Sequence, residues 1–302
     1  MPTATSPRPR VTAAGVRSAS RADRPRRKPA RRRQGLPERM FRGLLRGVAY
    51  VIGAGLIVGG ITLGFYSFMA GQYDLGVIEK HLADAEVAHA VNYTAPDGRE
   101  TRRLAIPLEE MSPHFVNALL VREDLRFYEH HGVDFRGVAR SMLRNARERR
   151  LVQGASTITM QLARNSFDDL ALDRSLHRKL IEAFLARRIE RDFTKEEIFE
   201  VYANMVYFGG NLHGVERASL AFFGKSSRDL ALSEAAMLAG IIRGPNAFSP
   251  LKNYDRALAE RDVVLERMAE EGFITREEAE AAKLESPAVL KAKPLKATKL
   301  RR

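Results

Sequence analysis

The segment GVAYVIGAGLIVGGITLGFYSFMAG, residues 47–71, contains 25 residues and no charged side chain. An α-helix rises about 1.5 Å per residue, so a helix of this length exceeds the roughly 30 Å hydrocarbon core of a bilayer. A buried helix of this length in a soluble protein would normally carry a polar stripe. The run is also longer than the apolar core of a cleavable signal peptide. The segment therefore predicts one membrane-spanning helix.

The basic charge of the chain is concentrated before this segment. Residues 1–46 contain 14 Lys and Arg against 2 Asp and Glu, whereas the whole chain has a net charge of +13. The tail is rich in Arg, Pro and Ala, a composition typical of disorder, and nucleic acid is not an expected partner because the rest of the chain is nearly neutral. Arg39, Arg42 and Arg46 precede the span, while Asp74 and Glu79 follow it. The positive-inside rule then predicts a cytoplasmic N-terminus and an extracytoplasmic remainder.

Three further segments follow the predicted span. Residues 72–105 have the composition of a connector, with short extended pieces on either side of the turn signal APDG. Residues 106–285 show helical spacing of apolar side chains and no convincing alternation at period two, which predicts a mostly α domain. Residues 286–302 form a basic C-terminal tail. The chain has no cysteine, so disulfides and thiolate sites are excluded.

Several helix starts are indicated by local signals. Ser112 before Pro113 fits an N-cap with proline in the first turn, and Thr194 and Thr275 each precede a glutamate by three residues, as in a capping box. Ser233 is predicted to open a helix whose small residues permit close packing: Ala235, Ala236, Ala239 and Gly240.

Three polar clusters lie within the predicted helical domain. They are VREDLRFYEHHGVDF at 121–135, QGASTITMQLARN at 153–165 and DRSLHRKLIEAFLARRIERDF at 173–193. Titratable groups concentrate in functional clefts, but not only there. Taken singly, each cluster also fits an ordinary structural role: a charged helix end and turn, a capped helix start, and an ion-paired helical face.

Together the clusters resemble the motifs of the peptidoglycan glycosyltransferases that polymerise lipid II. The first cluster contains E-D-x-x-F-x-x-H-x-G, the second fits G-x-S-T-I-x-x-Q-x-x-K-N except at Arg164, and the third contains R-K-x-x-E. EIFEVYANMVYFGG and LSEAAMLAGIIRGPNAFSP are similar to two later motifs of that family, in the same order. The resemblance covers about residues 104–252. It implies a mostly α, lysozyme-like glycosyltransferase domain preceded by a single transmembrane helix.

The resemblance implies a general base at Glu123. The 4-hydroxyl of lipid II would attack the anomeric carbon of a growing glycan strand, and undecaprenyl pyrophosphate would leave with inversion. A sugar hydroxyl is a poor nucleophile until a carboxylate within hydrogen-bond reach takes its proton, so a carboxylate suits this role. Glu182 is the second expected catalytic residue, holding cations in place or binding a divalent ion. The two carboxylates are expected to face each other across a groove lined by cations.

The departing pyrophosphate needs charge neutralisation more than protonation. The resemblance therefore implies phosphate contacts from Arg164, Arg174 and Lys179, with Thr157 and Gln161 contacting the substrate. The remaining motif residues expected at the substrate are Asp124, Phe127, His130, Ser156, Asn165 and Arg178. No metal ligands are assigned, and a divalent cation, Mg²⁺ or Mn²⁺, is left open at the pyrophosphate. His131, outside the motif, is expected on the surface.

Two other functions compete with polymerisation. A glutamate in a helical cleft could act as the acid of a lysozyme-like enzyme that cleaves peptidoglycan, but a neutral glycosidic bond would not need the cationic clusters. A non-catalytic, membrane-anchored scaffold for other cell-wall synthesis proteins would leave the motifs unexplained. A fused transpeptidase is not expected. The predicted location is the bacterial plasma membrane, single-pass, and Phe167 and Leu170 fit either its interface or the protein core.

Overall fold

The computed structural model describes residues 38–88, 93–94, 100–101, 105–148, 156–172 and 175–290. These residues are mostly helical, which confirms the predicted fold class. The α-helices are α1 (Glu38–Gly71), α2 (Gly76–Ala88), α3 (Pro113–Glu123), α4 (Phe135–Glu148), α5 (Ile158–Ser166), α6 (Asp168–Leu172), α7 (Leu176–Asp192), α8 (Lys195–Met205), α9 (Val215–Phe223), α10 (Leu232–Ile241), α11 (Tyr254–Glu270) and α12 (Arg276–Leu284). Two antiparallel pairs of short strands accompany them: β1 (Tyr93–Thr94) with β2 (Glu100–Thr101), and β3 (Tyr207–Gly209) with β4 (Leu212–His213).

The chain divides into two compact units, residues 1–56 and 57–302, with the boundary inside α1. Residues 38–56 of the first unit are helical, so the helix begins before the predicted start at residue 47. Part of the predicted disordered tail is thus ordered, because apolar side chains from Met40 onward extend the helical segment. Met40–Gly71 is long and apolar enough to cross a membrane. Residues 1–37 lie outside the described residues.

Within the second unit, the C-terminal end of α1 contacts α7. Arg188 donates hydrogen bonds from Nη1 to three carbonyl oxygens, those of Ala70 at 3.0 Å, Gly71 at 3.3 Å and Tyr73 at 2.6 Å. The last carbonyls of a helix have no partner within the helix, so a guanidinium there satisfies them. Tyr66 adds a hydrogen-bond contact of 3.1 Å between its hydroxyl and His177 Nδ1.

The predicted connector contains a helix that the sequence analysis missed. In α2, Ile78 is completely buried and packs into the main core, which is why the segment folds against the domain. The extended piece predicted before APDG agrees with β1, residues 93–94, where it is described. Leu170 is also in this core, as one of its two expected positions required. Phe167 is partly buried and packs its ring 4.8 Å from that of Tyr73, which follows the end of α1.

Two groups of packed helices build the core of the second unit. Helix α10 packs against α3 and α11, and α5 packs against α7 and α8. The predicted close packing of α10 is confirmed, because a Cβ atom on Gly240 would lie 2.9 Å from the backbone carbonyl carbon and oxygen of Glu260 in α11. Large buried side chains fill the remaining space, among them Phe115, Phe199 and Tyr202.

The predicted helix starts are mostly confirmed. Thr194 and Thr275 form complete capping boxes with their glutamates. Ser112 is the N-cap of α3, but its hydroxyl donates to the carbonyl oxygen of Leu230 at 2.9 Å instead of capping the helix. The prediction for Ser233 was wrong: α10 begins at Leu232, and the Glu234 side chain accepts a hydrogen bond from the Ala231 amide.

The hairpin of β3 and β4 was not predicted. Gly210 and Asn211 form its turn with φ values of 59° and 67°. Two successive residues with positive φ are the signature of a type I′ turn, whose twist matches that of paired strands. The strands are so short that they show no alternation.

Gly132 brings the first polar cluster into contact with α7. Its φ is 83°, and a Cβ atom there would lie 2.7 Å from the backbone carbonyl carbon of Ala186. Both the backbone conformation and the close approach therefore require glycine at this position.

We expect Gly132→Ala to lower the free energy of unfolding by about 2–4 kcal/mol, because left-handed strain and a backbone clash add together. Gly272→Ala is the matched control, since Gly272 has a φ of 78° but no atom within 4 Å of the added Cβ. That control should cost only the strain, about 1–2 kcal/mol. Denaturant unfolding in detergent measures both, and equal losses would show that the approach to α7 is unimportant.

Candidate functional site

A cavity of about 1140 Å³ opens beside the end of α3. Its lining comes from the end of α3 and the residues after it, from α4, from α5, from the residues after α10 and from the end of α11. Six of the predicted site residues line it: Glu123, Asp124, Ser156, Thr157, Gln161 and Arg164. The second polar cluster thus meets the first across one cavity.

Glu123 is the last residue of α3 and is held by a side chain of α5. Gln161 donates a hydrogen bond from Nε2 to Glu123 Oε2 at 2.8 Å, and the Tyr202 hydroxyl donates to Gln161 Oε1 at 3.1 Å. Burial raises the pKa of Tyr202 well above its usual value, and the nearby Glu123 carboxylate adds to this shift. Tyr202 therefore stays a hydroxyl donor at neutral pH and fixes the orientation of the Gln161 amide.

Asp124 connects three parts of the site. It is buried at the C-cap of α3, and its Oδ2 accepts a hydrogen bond from the Ile158 amide at 3.1 Å. The same oxygen lies 2.9 Å from Nε2 of His130. A carboxylate is favoured at the N-terminus of a helix, where backbone amides are unpaired. Asp124 therefore ties the end of α3 to the start of α5.

Thr157 and Ser156 are engaged by the protein itself. Thr157 is the N-cap of α5: its hydroxyl accepts from the Met160 amide at 3.1 Å and donates to the Gly132 carbonyl oxygen at 2.6 Å. Ser156 accepts a short hydrogen bond from the Lys179 ammonium. The second cluster thus contains the capped helix start that its sequence alone allowed, and that helix start also lines the cavity.

The third cluster lies behind the cavity lining. Glu182 is completely buried, with Arg178 Nε at 3.0 Å from one carboxylate oxygen and Lys179 Nζ at 3.3 Å from the other. None of these three residues lines the cavity, so Glu182 does not face Glu123 across it. Burial lowers the pKa of Lys179, and the Glu182 charge opposes that shift. The carboxylate thereby favours the charged form of an ammonium that reaches Ser156.

The remaining predicted site residues are placed away from the large cavity. Phe127 is completely buried in the main core, and the Lys195 ammonium lies 4.3 Å from its ring centroid. His130 is buried next to Asp124 and lines a smaller cavity of about 340 Å³. Asn165 is exposed and does not line the large cavity. Arg174 lies outside the described residues. His131 is exposed, as predicted.

Seven arginines line the large cavity: Arg122, Arg126, Arg140, Arg147, Arg164, Arg243 and Arg267. Arg122 is paired with Glu260 at 2.6 Å, and Arg126 is paired with Asp134. Arg140 and Arg243 each have a carboxylate oxygen at 3.9 Å. Arg147, Arg164 and Arg267 form no ion pair with a described residue. An anion entering the cavity therefore meets three guanidinium groups that form no ion pair among the described residues, although six acidic residues also line it: Glu123, Asp124, Asp134, Glu148, Glu270 and Glu271.

A buried group of charges that sequence reasoning missed lies under the first cluster. Glu190 Oε1 accepts a hydrogen bond from the Thr159 hydroxyl and lies 2.8 Å from Lys195 Nζ and 3.9 Å from His130 Nδ1. These contacts join α5, α7 and α8 behind Asp124. Glu190 lies about two turns after Glu182 on α7, so both glutamates lie on the same side of the helix. This spacing was the sequence signal that could have indicated a buried role for Glu190.

The described residues contain no group of three or more His, Asp or Glu side chains arranged to hold a metal ion. A protein-held divalent cation would need several oxygen or nitrogen ligands. The large cavity is lined by seven arginines and by six carboxylates, and those carboxylates are not grouped as a metal site within the described part of the chain.

The transglycosylase family model matches residues 89–269. Penicillin-binding protein 1A of Escherichia coli (strain K12) is 46% identical over 187 residues, covering 62% of this chain and 22% of that protein. Penicillin-binding protein 1A of Aquifex aeolicus (strain VF5) is 43% identical over 181 residues, covering 60% of this chain and 25% of that protein. A crystal structure of penicillin-binding protein 1A from Haemophilus influenzae aligns with 66% of this chain and 21% of that one, at 24% identity and a TM-score of 0.39.

The chain spans about a quarter of the length of these curated relatives. The family match nevertheless covers more than half of the chain and includes every residue that lines the large cavity except Glu270 and Glu271. The chain belongs to the transglycosylase family.

Proposed function

We propose that the chain is a peptidoglycan glycosyltransferase that polymerises lipid II into glycan strands. The observation that carries the proposal is the position of Glu123, a carboxylate at the edge of a cavity lined by seven arginines. Membership of the transglycosylase family supports the same reaction class. A cavity of about 1140 Å³ exceeds the usual size of a site for one small ligand, which suits two lipid-linked saccharides.

In this proposal Glu123 is the general base. The 4-hydroxyl of lipid II gives its proton to Glu123 while its oxygen attacks the anomeric carbon of the growing strand. The bond from that carbon to the pyrophosphate breaks with inversion, and the electron pair leaves on undecaprenyl pyrophosphate. Gln161 restricts the Glu123 carboxylate to one orientation, because its amide is itself fixed by Tyr202. A base held in place reacts without first reorganising.

Arg164 is the proposed contact of the leaving pyrophosphate. It lies one helical turn after Gln161 on α5, lines the cavity and forms no ion pair with a described residue. A guanidinium can bind two oxygens of a phosphate at once, which neutralises charge as the bond breaks. Lys179, Arg178 and Glu182 support this region from behind through Ser156. No step is assigned to a metal ion.

The long apolar helix suits a substrate that cannot leave the bilayer. Residues 40–71 are the candidate span, and α7, which carries Glu182, contacts the last turn of that helix through Arg188. We propose a single-pass anchor in the bacterial plasma membrane, with the N-terminus in the cytoplasm and the site on the other side. The basic N-terminal tail would then face the anionic cytoplasmic leaflet.

Glu123→Gln should lower the rate of lipid II polymerisation by about 10²–10⁴-fold, because the amide cannot accept the proton. The assay follows labelled lipid II with purified protein in vesicles. Glu129→Gln is the control: Glu129 belongs to the same stretch, but its side chain is 64% exposed and lies 3.9 Å from its ion-pair partner. Unchanged polymerisation by Glu123→Gln would contradict the assignment of the base.

The same assay separates the competing functions. Wild-type protein that fragments preformed glycan without consuming lipid II would indicate a cleaving enzyme, and protein with neither activity would indicate a scaffold. Either result would overturn the proposed function.

The absence of cysteine allows a direct test of topology. In the proposed orientation, Ala13→Cys should be protected from a membrane-impermeant maleimide in intact spheroplasts, and Arg256→Cys should be labelled. Arg256 is exposed at the start of α11, so its labelling needs no unfolding. Labelling of Ala13→Cys in intact spheroplasts, with Arg256→Cys protected, would show the opposite orientation.

A further inference from the structure

Arg267 lines the large cavity but belongs to none of the five motifs that the sequence analysis identified. It lies in the last turn of α11, and the same cavity contains Glu123. Helix α11 packs against α3, whose last residue is Glu123. Arg267 of α11 therefore lines the same cavity as Glu123, the proposed base. Arg164 lines that cavity from another helix, α5.

The partners of Arg267 distinguish it from its neighbours. Arg122 is neutralised by Glu260 at 2.6 Å, whereas Arg267 has no carboxylate within ion-pair distance among the described residues. Glu270 and Glu271 follow it in the chain and line the same cavity, but neither forms an ion pair with it. Their charges, with those of Glu123 and Arg122, act on Arg267 only at longer range.

Arg267 is also half-buried. Burial lowers the pKa of its guanidinium, and the charge of Arg122 lowers it further. The group nevertheless stays protonated at neutral pH. A charged group that has lost water without gaining a close counter-ion is unfavourable, and an anionic ligand would offset that cost.

We propose that Arg267 binds an anionic oxygen of the acceptor, the lipid II molecule whose hydroxyl is deprotonated by Glu123. This inference rests on the proposed function. Lipid II carries a pyrophosphate and peptide carboxylates, and both present oxygens that match the planar fork of a guanidinium. The donor's pyrophosphate is the one that departs, and Arg164 is assigned to it. Arg267 supplies the corresponding contact for the substrate that stays intact.

The two arginines should therefore differ in their kinetic effect. The charge on the acceptor's anion does not change during the reaction, so Arg267 binds the ground state and the transition state equally. Loss of such a contact raises KM and leaves kcat unchanged. A contact with the leaving pyrophosphate strengthens as the bond breaks, so its loss lowers kcat.

The experiment measures elongation of a lipid-linked glycan primer at increasing concentrations of lipid II. Arg267→Gln should raise the KM for lipid II about tenfold or more, the usual effect of removing a charged hydrogen bond, with kcat within about twofold of wild type. Arg267→Lys should give an intermediate KM, because the charge remains and the fork is lost. Arg256→Gln is the control on the same helix, since Arg256 is exposed and lies outside the cavity.

An unchanged KM for Arg267→Gln would overturn the inference, provided that wild type polymerises lipid II. A shift of the acid limb of the pH–rate profile without a change in KM would also overturn it, because Arg267 would then act on Glu123. Wild-type protein without polymerisation would instead refute the proposed function. Equal unfolding midpoints for Arg267→Gln and wild type exclude a folding defect as the cause of a raised KM.

A second arm identifies the anion. Lipid II with amidated peptide carboxylates should be used with wild type and Arg267→Gln. If the KM values of wild type and Arg267→Gln still differ with the amidated substrate, Arg267 contacts the pyrophosphate. If that difference disappears, Arg267 contacts a peptide carboxylate.

Discussion

The carboxylate of Asp124 holds the site together. One oxygen accepts a hydrogen bond from the Ile158 amide, the first of α5, and also contacts His130, so α5 and the turn at His130 are both fixed at the end of α3. A buried carboxylate is stable only when such donors surround it. Glu123 precedes Asp124 directly, and Gln161 lies one turn into α5. The hydrogen bond between Glu123 and Gln161 therefore depends on the position that Asp124 imposes on the two helices.

Helix α7 provides the second constraint. Its backbone at Ala186 is approached so closely by Gly132 that no side chain fits between them. The same helix carries Glu182, which organises Arg178 and Lys179, and Arg188, which binds the last carbonyls of α1. Helix α7 thus contacts the turn within the first cluster, carries the cations held by Glu182, and binds the end of the apolar helix. This arrangement lets Glu182 hold Arg178 and Lys179 in place, which is one of the two roles that the resemblance implied for it.

Sequence reasoning succeeded where the signal is local. Capping boxes at Thr194 and Thr275, the long apolar helix and the helical character of residues 106–285 follow from spacing and composition. The motifs also identified Glu123 and Gln161, but not their hydrogen bond. What failed depends on tertiary contacts: α2 is helical because Ile78 is buried, and Phe127 fills the core instead of meeting substrate. No local sequence signal marks Arg267, because what distinguishes it is the cavity that it shares with the Glu123 carboxylate of another helix. The residues Gly210 and Asn211 favour a tight turn, but the strands on either side are too short to show an alternation of apolar and polar side chains.

The central claim is that Glu123 takes a proton inside the arginine-lined cavity. Chemical rescue tests it most directly. Glu123→Ala removes the carboxylate and leaves space for a small one, so added formate should restore polymerisation of lipid II in a saturable way, by about tenfold or more over the variant alone. Formate should leave the rate of wild-type protein unchanged. A Glu123→Ala variant that polymerises at the wild-type rate, with or without formate, would contradict the account.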